Sequence, residues 1–209
     1  MKIIVFGSTG FTGKHVVEYA ANQGYEVSAV SRADKKAPSA YENVTHTTCN
    51  TLDKKQVKNT IKGADIVISC LGVGGKGDGK PSTVVSDSTR NIVESMEEIG
   101  ITRLVAMSNV GAGKSGTQFM TRFIYPTFIK WILPIIEDKN RMEEVLRASK
   151  LDWTAVRFPD IIDGNLTNTR VDPAGKKILF WISASTAAKF MVDIATSNKY
   201  IRLTPSVSR

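Results

Sequence analysis

An α/β fold built on a doubly wound parallel sheet is predicted by three features of the first 31 residues. Ile3 to Phe6 is a short, almost wholly apolar run rich in β-branched residues, which suits a strand buried on both faces of a parallel sheet. Three glycines at a spacing of three follow it, in Gly7-Ser-Thr-Gly10-Phe-Thr-Gly13. From Thr12 the pattern becomes helical, with Val16, Val17, Ala20 and Ala21 on one face. Strand, tight glycine turn and helix N-terminus together form an anion site, because the free N–H groups and the positive helix end face whatever fills the turn. A dinucleotide pyrophosphate is the usual occupant of such a site. A triphosphate P-loop is excluded: that motif needs glycine at position 8 and Ser or Thr at 15, and the chain has Ser8 and His15.

The 209 residues, 42% of them hydrophobic, suffice for one well-buried unit. The expectation is a single Rossmann-type domain over 1–209, with helices on both sheet faces. A small C-terminal portion, about 160–209, completes the substrate side. Cys49 and Cys70 lie at predicted strand ends with no disulfide or metal spacing, and His15 and His46 are isolated. They read as ordinary buried or surface residues in a reducing cytoplasm. The start, Lys2 and a short apolar run broken by glycines, does not read as a signal peptide, and no stretch is long and apolar enough to span a bilayer. The net charge of +8 is spread over scattered Lys and Arg, so nucleic-acid binding is not expected. The expected partner is a small molecule, with the chain a monomer or homodimer.

Glu26 to Ser31 reads as the second strand, and its end matters. An acidic residue there would hold ribose hydroxyls; this chain has Arg32, followed by Lys35 and Lys36. A guanidinium forks onto a 2′-phosphate that a carboxylate would repel, so NADP(H) is expected over NAD(H). Val44 to Cys49 reads as the third strand, with Asn50 placed to reach an adenine ring. A short helix, Lys54 to Lys62, and a fourth strand, Ala64 to Ser69, come next. Leu71, Gly72, Val73, Gly74 and Gly75 follow that strand, where glycine lets backbone approach a cofactor, and Lys76 to Lys80 reads as a loop.

A long helix is expected over about Thr83 to Ile99, stopped by Gly100, then a fifth strand over Arg103 to Met107. Ser108 to Gly113 would lie at its C-terminal end, in the ligand crevice, which makes Ser108 a site candidate. The segment Thr117 to Ile136 interleaves Phe119, Phe123, Tyr125, Phe128 and Trp131 with Arg122, Pro126, Lys130 and Pro134. It reads as core packing that lines part of a pocket, with a substrate lid, a dimer face or a contact with a planar aromatic ligand as alternatives. An amphipathic helix over Glu137 to Ser149 precedes a sixth strand, Asp152 to Phe158, ended by Pro159 and Asp160. Beyond it a strand near Lys177 to Ile182, a helix opened by Ser185 and a last strand near Tyr200 to Leu203 are expected.

The glycine turn, Arg32, Arg90-Asn-Ile-Val, Ser108, and the run from Arg141 through Ser149 to Arg157-Phe-Pro159 resemble the atypical short-chain dehydrogenase/reductase family over nearly the whole chain. Compact members similar to biliverdin IXβ reductase/flavin reductase match best in length and order; NmrA-like redox-sensing regulators share the pattern. The resemblance implies that Gly7, Thr9, Gly10, Phe11, Thr12 and Gly13 cradle the pyrophosphate and that Arg32 takes the 2′-phosphate. It implies that Asn50 and Leu52 flank adenine, that Leu71, Gly72 and Val73 line the ribose side, and that Ser108 and Pro159 sit by the nicotinamide.

One departure is chemical. Full dehydrogenases of the family carry Tyr and Lys four apart; the Lys place is Lys139, and Ile135 stands where the Tyr would be. Tyr125 is at the wrong spacing. Where biliverdin-type members offer a histidine, this chain has Asp160 and Lys139. An NADPH-dependent reductase passing hydride to a planar conjugated acceptor (flavin, quinone or tetrapyrrole-like) survives this loss, with Ser108 and Lys139 as catalytic candidates, no metal, and free flavin as one candidate substrate. The alternatives are an NmrA-like NADP(H)-sensing protein without turnover and a sugar-nucleotide epimerase or dehydratase.

Overall fold

The structure is a computed structural model that describes residues 1–32, 41–73, 80–116, 130–173 and 175–209. Lys35, Lys36, Gly74, Gly75, the loop residues 76–79 and the aromatic residues Phe119, Phe123, Tyr125 and Phe128, with Arg122 and Pro126, lie outside the described residues.

Among the described residues there are ten strands and five α-helices. The strands are β1 (Lys2–Phe6), β2 (Glu26–Ser31), β3 (Val44–Thr48), β4 (Ile66–Ser69), β5 (Arg103–Gly113), β6 (Asp152–Phe158), β7 (Asp160–Ile162), β8 (Arg170–Asp172), β9 (Trp181–Ser183) and β10 (Ser206–Ser208). The helices are α1 (Gly13–Asn22), α2 (Lys54–Thr60), α3 (Val84–Ile99), α4 (Leu133–Ala148) and α5 (Ala184–Ala195). The main sheet has the order β3-β2-β1-β4-β5-β6-β10-β8, parallel except for the antiparallel edge strand β8. This is the doubly wound Rossmann arrangement: the order reverses at β1, and a crevice opens there above the strands' C-terminal ends. β7 and β9 form a separate parallel pair.

Each strand alternates its side chains between two cores. Ile3 and Val5 of β1 pack with Val16 and Ala20 of α1 and Ala187 and Met191 of α5. Ile4 and Phe6 pack on the opposite face with Ile92 and Met96 of α3 and Met142 and Leu146 of α4. All four β1 residues are fully buried, which is why the run reads as continuously apolar.

Helix ends carry much of the local logic. Asp53 caps α2 by accepting from the N–H groups of Lys55 (2.9 Å) and Gln56 (3.1 Å). Gly100 ends α3 with φ +81°. The start of α3 is capped from a distance: the carboxylate of Asp138, on α4, accepts from the N–H groups of Val85 (3.0 Å) and Ser86 (3.2 Å). Arg103 does the reverse job, donating to the last carbonyls of α5, Ile194 and Ala195.

Several boundaries differ from expectation. β5 runs on through Ser108–Gly113, which is strand rather than crevice loop; its next two residues still pair with β6, Ser108 facing Arg157 and Asn109 facing Phe158. α4 begins at Leu133, with Pro134 in its first turn, where a missing N–H costs nothing. Ser183, not Ser185, caps α5, its hydroxyl accepting from Thr186 N–H. Tyr200 to Arg202 is a turn, with Tyr200 and Arg202 at positive φ; Leu203 makes only an isolated parallel bridge to Thr154, and the last strand is β10. Only Trp181–Ser183 of the expected C-terminal strand forms, since the N–H groups of Lys176 and Lys177 are bound by the Asp172 carboxylate.

Candidate active site

A cleft of about 950 Å³ runs across the C-terminal ends of the sheet strands. At one end lies the glycine turn. Gly7 has φ +75°, and a Cβ there would sit 2.8 Å from the carbonyl oxygen of Cys70. A Cβ on Gly13 would sit 2.1 Å from the carbonyl oxygen of Gly7, so helix α1 can start this close to β1 only with glycine there. Ser8 anchors the turn sideways, its N–H and hydroxyl both donating to the carbonyl of Val30 on β2.

This end fits a diphosphate. The N-cap of α1, Thr12, makes no side-chain cap, and its first turn carries no acidic residue. The cleft wall here is Gly7, Thr9, Gly10, Phe11 and Thr12, so it ends at the N-cap of α1, where no side chain competes for the helix N–H groups. Arg32 lines the rim just beyond β2 and is exposed. Leu71, Gly72 and Val73 line the wall after β4, and Pro159 and Asp160 the wall after β6.

Four expected residues are off the cleft wall, the buried Gly13 among them. Asn50 and Leu52 are exposed and are not on the cleft wall; the Asn50 carboxamide accepts from Leu52 N–H (3.1 Å), and Cys49 and Thr51 line the cleft instead. Ser108 is 1% exposed and also off the wall. Because strand side chains alternate, Ser108 faces α4, where its hydroxyl donates to Glu143 (2.8 Å). The residues of β5 that do line the cleft are Met107, Asn109 and Val110. The period-2 pattern of β5 could have found Asn109, had the strand not been ended at Met107.

Beneath the cleft, α4 clasps the ends of three neighbouring strands. Lys139 is 2% exposed and donates to the carbonyls of Leu71 (2.9 Å), after β4, and Met107 (2.6 Å), on β5. Burial lowers its pKa to about 8. One turn on, the fully buried Glu143 accepts from Ser108 on β5 and from Nε and Nη2 of Arg157 on β6 (2.8 and 2.5 Å), with Arg147 as a further donor. Nothing in the local pattern marked the Glu143–Arg157 pair, since its members lie 14 residues apart on different elements.

The opposite end of the cleft is apolar and aromatic. Trp131, Ile132 and Ile135 line one side, Ile178, Leu179 and Phe180 another. Trp131 and Phe180 are 37% and 68% exposed, so their surfaces are available to a ligand. Ile135, one turn before Lys139 on α4, is an aliphatic residue of the same cleft wall. Cys70 also lines the cleft, its thiol pushed up to about 12 by burial, and it stays protonated. Cys49 and Cys70 are free thiols. No group of His, Cys, Asp and Glu among the described residues is arranged to hold a metal, and no described helix is long and apolar enough to cross a membrane.

Comparison with known proteins agrees with this geometry. A short-chain dehydrogenase/reductase from Veillonella parvula, solved in complex with NADP, superposes with a TM-score of 0.82 at 16% identity, covering 100% of this chain and 94% of that one. An anaerobillin reductase from Escherichia coli O157:H7 superposes with a TM-score of 0.82 at 20% identity, covering 100% and 97%. In sequence, an uncharacterised protein of Mycobacterium tuberculosis is 27% identical over 169 residues, 80% of this chain. The chain spans only 16% of the length of that relative. Residues 7–198 match the NAD(P)H-binding family, and the chain belongs to that family.

Proposed function

We propose that the protein is an NADPH-dependent reductase of planar conjugated acceptors, working as one unit over 1–209 in which 160–209 complete the substrate side. The observation that carries this reading is the two-ended cleft: a backbone-built anion cradle at the glycine turn, and an aromatic, aliphatic end where Ile135 replaces the proton donor. Gly7, Thr9, Gly10, Phe11, Thr12 and Gly13 hold the pyrophosphate, and Leu71, Gly72, Val73 and Pro159 flank the rest of the cofactor. Arg32 takes the 2′-phosphate through charge-assisted bonds, each worth about 1.5–3 kcal/mol.

NADPH, when bound, would supply a hydride, two electrons with one proton, and the second proton would reach the reduced ring from solvent. Lys139 has three N–H donors, of which two are spent on Leu71 and Met107; the third serves a cleft ligand and holds positive charge near the reacting end. Alcohol–ketone exchange through a Tyr–Lys pair, and the epimerase chemistry that depends on it, do not suit Ile135. Flavin, quinone and tetrapyrrole-like rings do, because the charge brought by hydride is delocalised over the conjugated ring and protonation can follow from solvent. Ser108 acts as a positioning residue under β5, through Glu143, rather than on the ligand.

A second reading, cofactor sensing without turnover, is favoured by the same Ile135. The experiment that separates them is NADPH oxidation with lumiflavin, flavin mononucleotide and menadione as acceptors. Turnover above background with any ring acceptor supports the reductase; tight NADPH binding with no oxidation supports the sensor. Arg32→Ala lowers NADPH affinity at least about tenfold and leaves NADH affinity unchanged. Equal losses, or none, would remove the 2′-phosphate assignment.

A further inference from the structure

Asn109 is the polar side chain that β5 turns into the cleft. Ser108 before it faces α4 and is consumed by Glu143; Asn109 lies on the other side of the strand, half-buried, on the cleft wall. Its neighbours on the wall are Met107 and Val110 on β5, Phe158 at the end of β6 and Pro159 after it, all apolar, with the exposed Asp160 next in the chain. Among the described residues the Asn109 carboxamide makes no hydrogen bond. A carboxamide offers one acceptor oxygen beside one donor amine, and in apolar surroundings it costs free energy unless both are paired. The group that pairs both at once is its own complement, a C=O next to an N–H.

We propose that Asn109 is the specificity-determining residue of the acceptor site and that it selects planar rings bearing an amide-type edge, C=O beside N–H, over rings bearing carbonyls alone. This rests on the reductase reading above. Lactam and imide rings, such as the pyrimidine part of a flavin, present that edge; a quinone presents acceptors only and leaves the Asn109 oxygen unpaired. The nicotinamide carboxamide carries the same chemistry, so the test keeps cofactor and acceptor apart.

The test uses Asn109→Leu, close in volume but apolar, and Asn109→Asp, which turns the donor into an acceptor. Three quantities are measured for each: NADPH Kd by fluorescence, lumiflavin Kd by quenching with NADP present, and the ratio of kcat/KM for lumiflavin to that for menadione. The expected result is NADPH Kd as in the wild type, lumiflavin Kd raised about tenfold, and the acceptor ratio lowered by a similar factor in both variants. Weakened NADPH with an unchanged acceptor ratio would assign Asn109 to the cofactor and overturn the proposal. So would variants indistinguishable from the wild type, or a wild type that binds no lumiflavin. Asn109-dependent lumiflavin binding without NADPH oxidation would retain the inference while removing the reductase reading.

Discussion

The two halves of the cleft are made of different materials. The glycine turn is built from backbone: Gly7 and Gly13 are there for what they lack, and under the proposed function the groups offered to the ligand are main-chain N–H donors of the turn. The floor under β5 and β6 is built from side chains drawn from α4, with Lys139 and Glu143 tying carbonyls, a hydroxyl and a guanidinium together out of water. A backbone site depends on sterics at a few adjacent positions. A side-chain floor depends on every buried polar group keeping its partner. The first should fail in binding, the second in folding.

The largest effect expected is at the floor. Glu143→Ala strands Arg157 and Ser108 without their shared acceptor and should cost about 3–5 kcal/mol of stability, read by chemical denaturation. A loss under about 1 kcal/mol would mean that water replaces the carboxylate and that the floor is not a closed network.

Gly13→Ala is the matching probe of the backbone half. Its Cβ would meet the Gly7 carbonyl at 2.1 Å, so the turn must open, and NADPH affinity should fall at least about 100-fold. Titration of NADPH fluorescence reads this. A variant that binds normally would show that the turn is softer than its packing implies.

Lys139→Met comes next, removing the donor to two carbonyls and costing about 2–3 kcal/mol. It also has a pH signature. The Lys139 pKa falls from an ordinary 10.5 to about 8 in the folded state, so between those values the unfolded chain holds a proton that the folded one has released. This group therefore makes stability rise with pH from about 8 to 10.5, and contributes no slope below about 8. Denaturation midpoints across that window should lose this rising component in Lys139→Met.

The smallest effect expected is Ser108→Ala, about 1 kcal/mol, since Glu143 keeps its arginine partners. Its NADPH Kd should equal that of the wild type. A large loss of NADPH affinity would return Ser108 to the ligand side.

Legibility in sequence followed the same division. The glycine turn, the strand before it and the helix after it are consecutive, so steric and periodic rules apply along the chain. Arg32 lies on the cleft rim, where its position after β2 would put it. Asn50 and Leu52 lie off the wall, in a loop where the Asn50 oxygen accepts from Leu52 N–H. Ser108 turns away from the cleft because β5 continues past Met107, still paired with β6 at Ser108 and Asn109. An error of a few residues in a strand end reassigns a side chain from wall to core.

Read alone, the residues determined what short-range physics can reach: a parallel α/β sheet with buried strands, an anion cradle at its first turn, a basic residue after the second strand, and an isoleucine four before Lys139. The tertiary structure decided what depends on partners distant in sequence. It determined that α4 holds Leu71, Met107, Ser108 and Arg157 in register, and that Asn109 rather than Ser108 meets the cleft. The reason is that turns and periodicities are set by neighbours along the chain. The face a strand residue presents, and the fate of a buried charge, are set by what packs against it after folding.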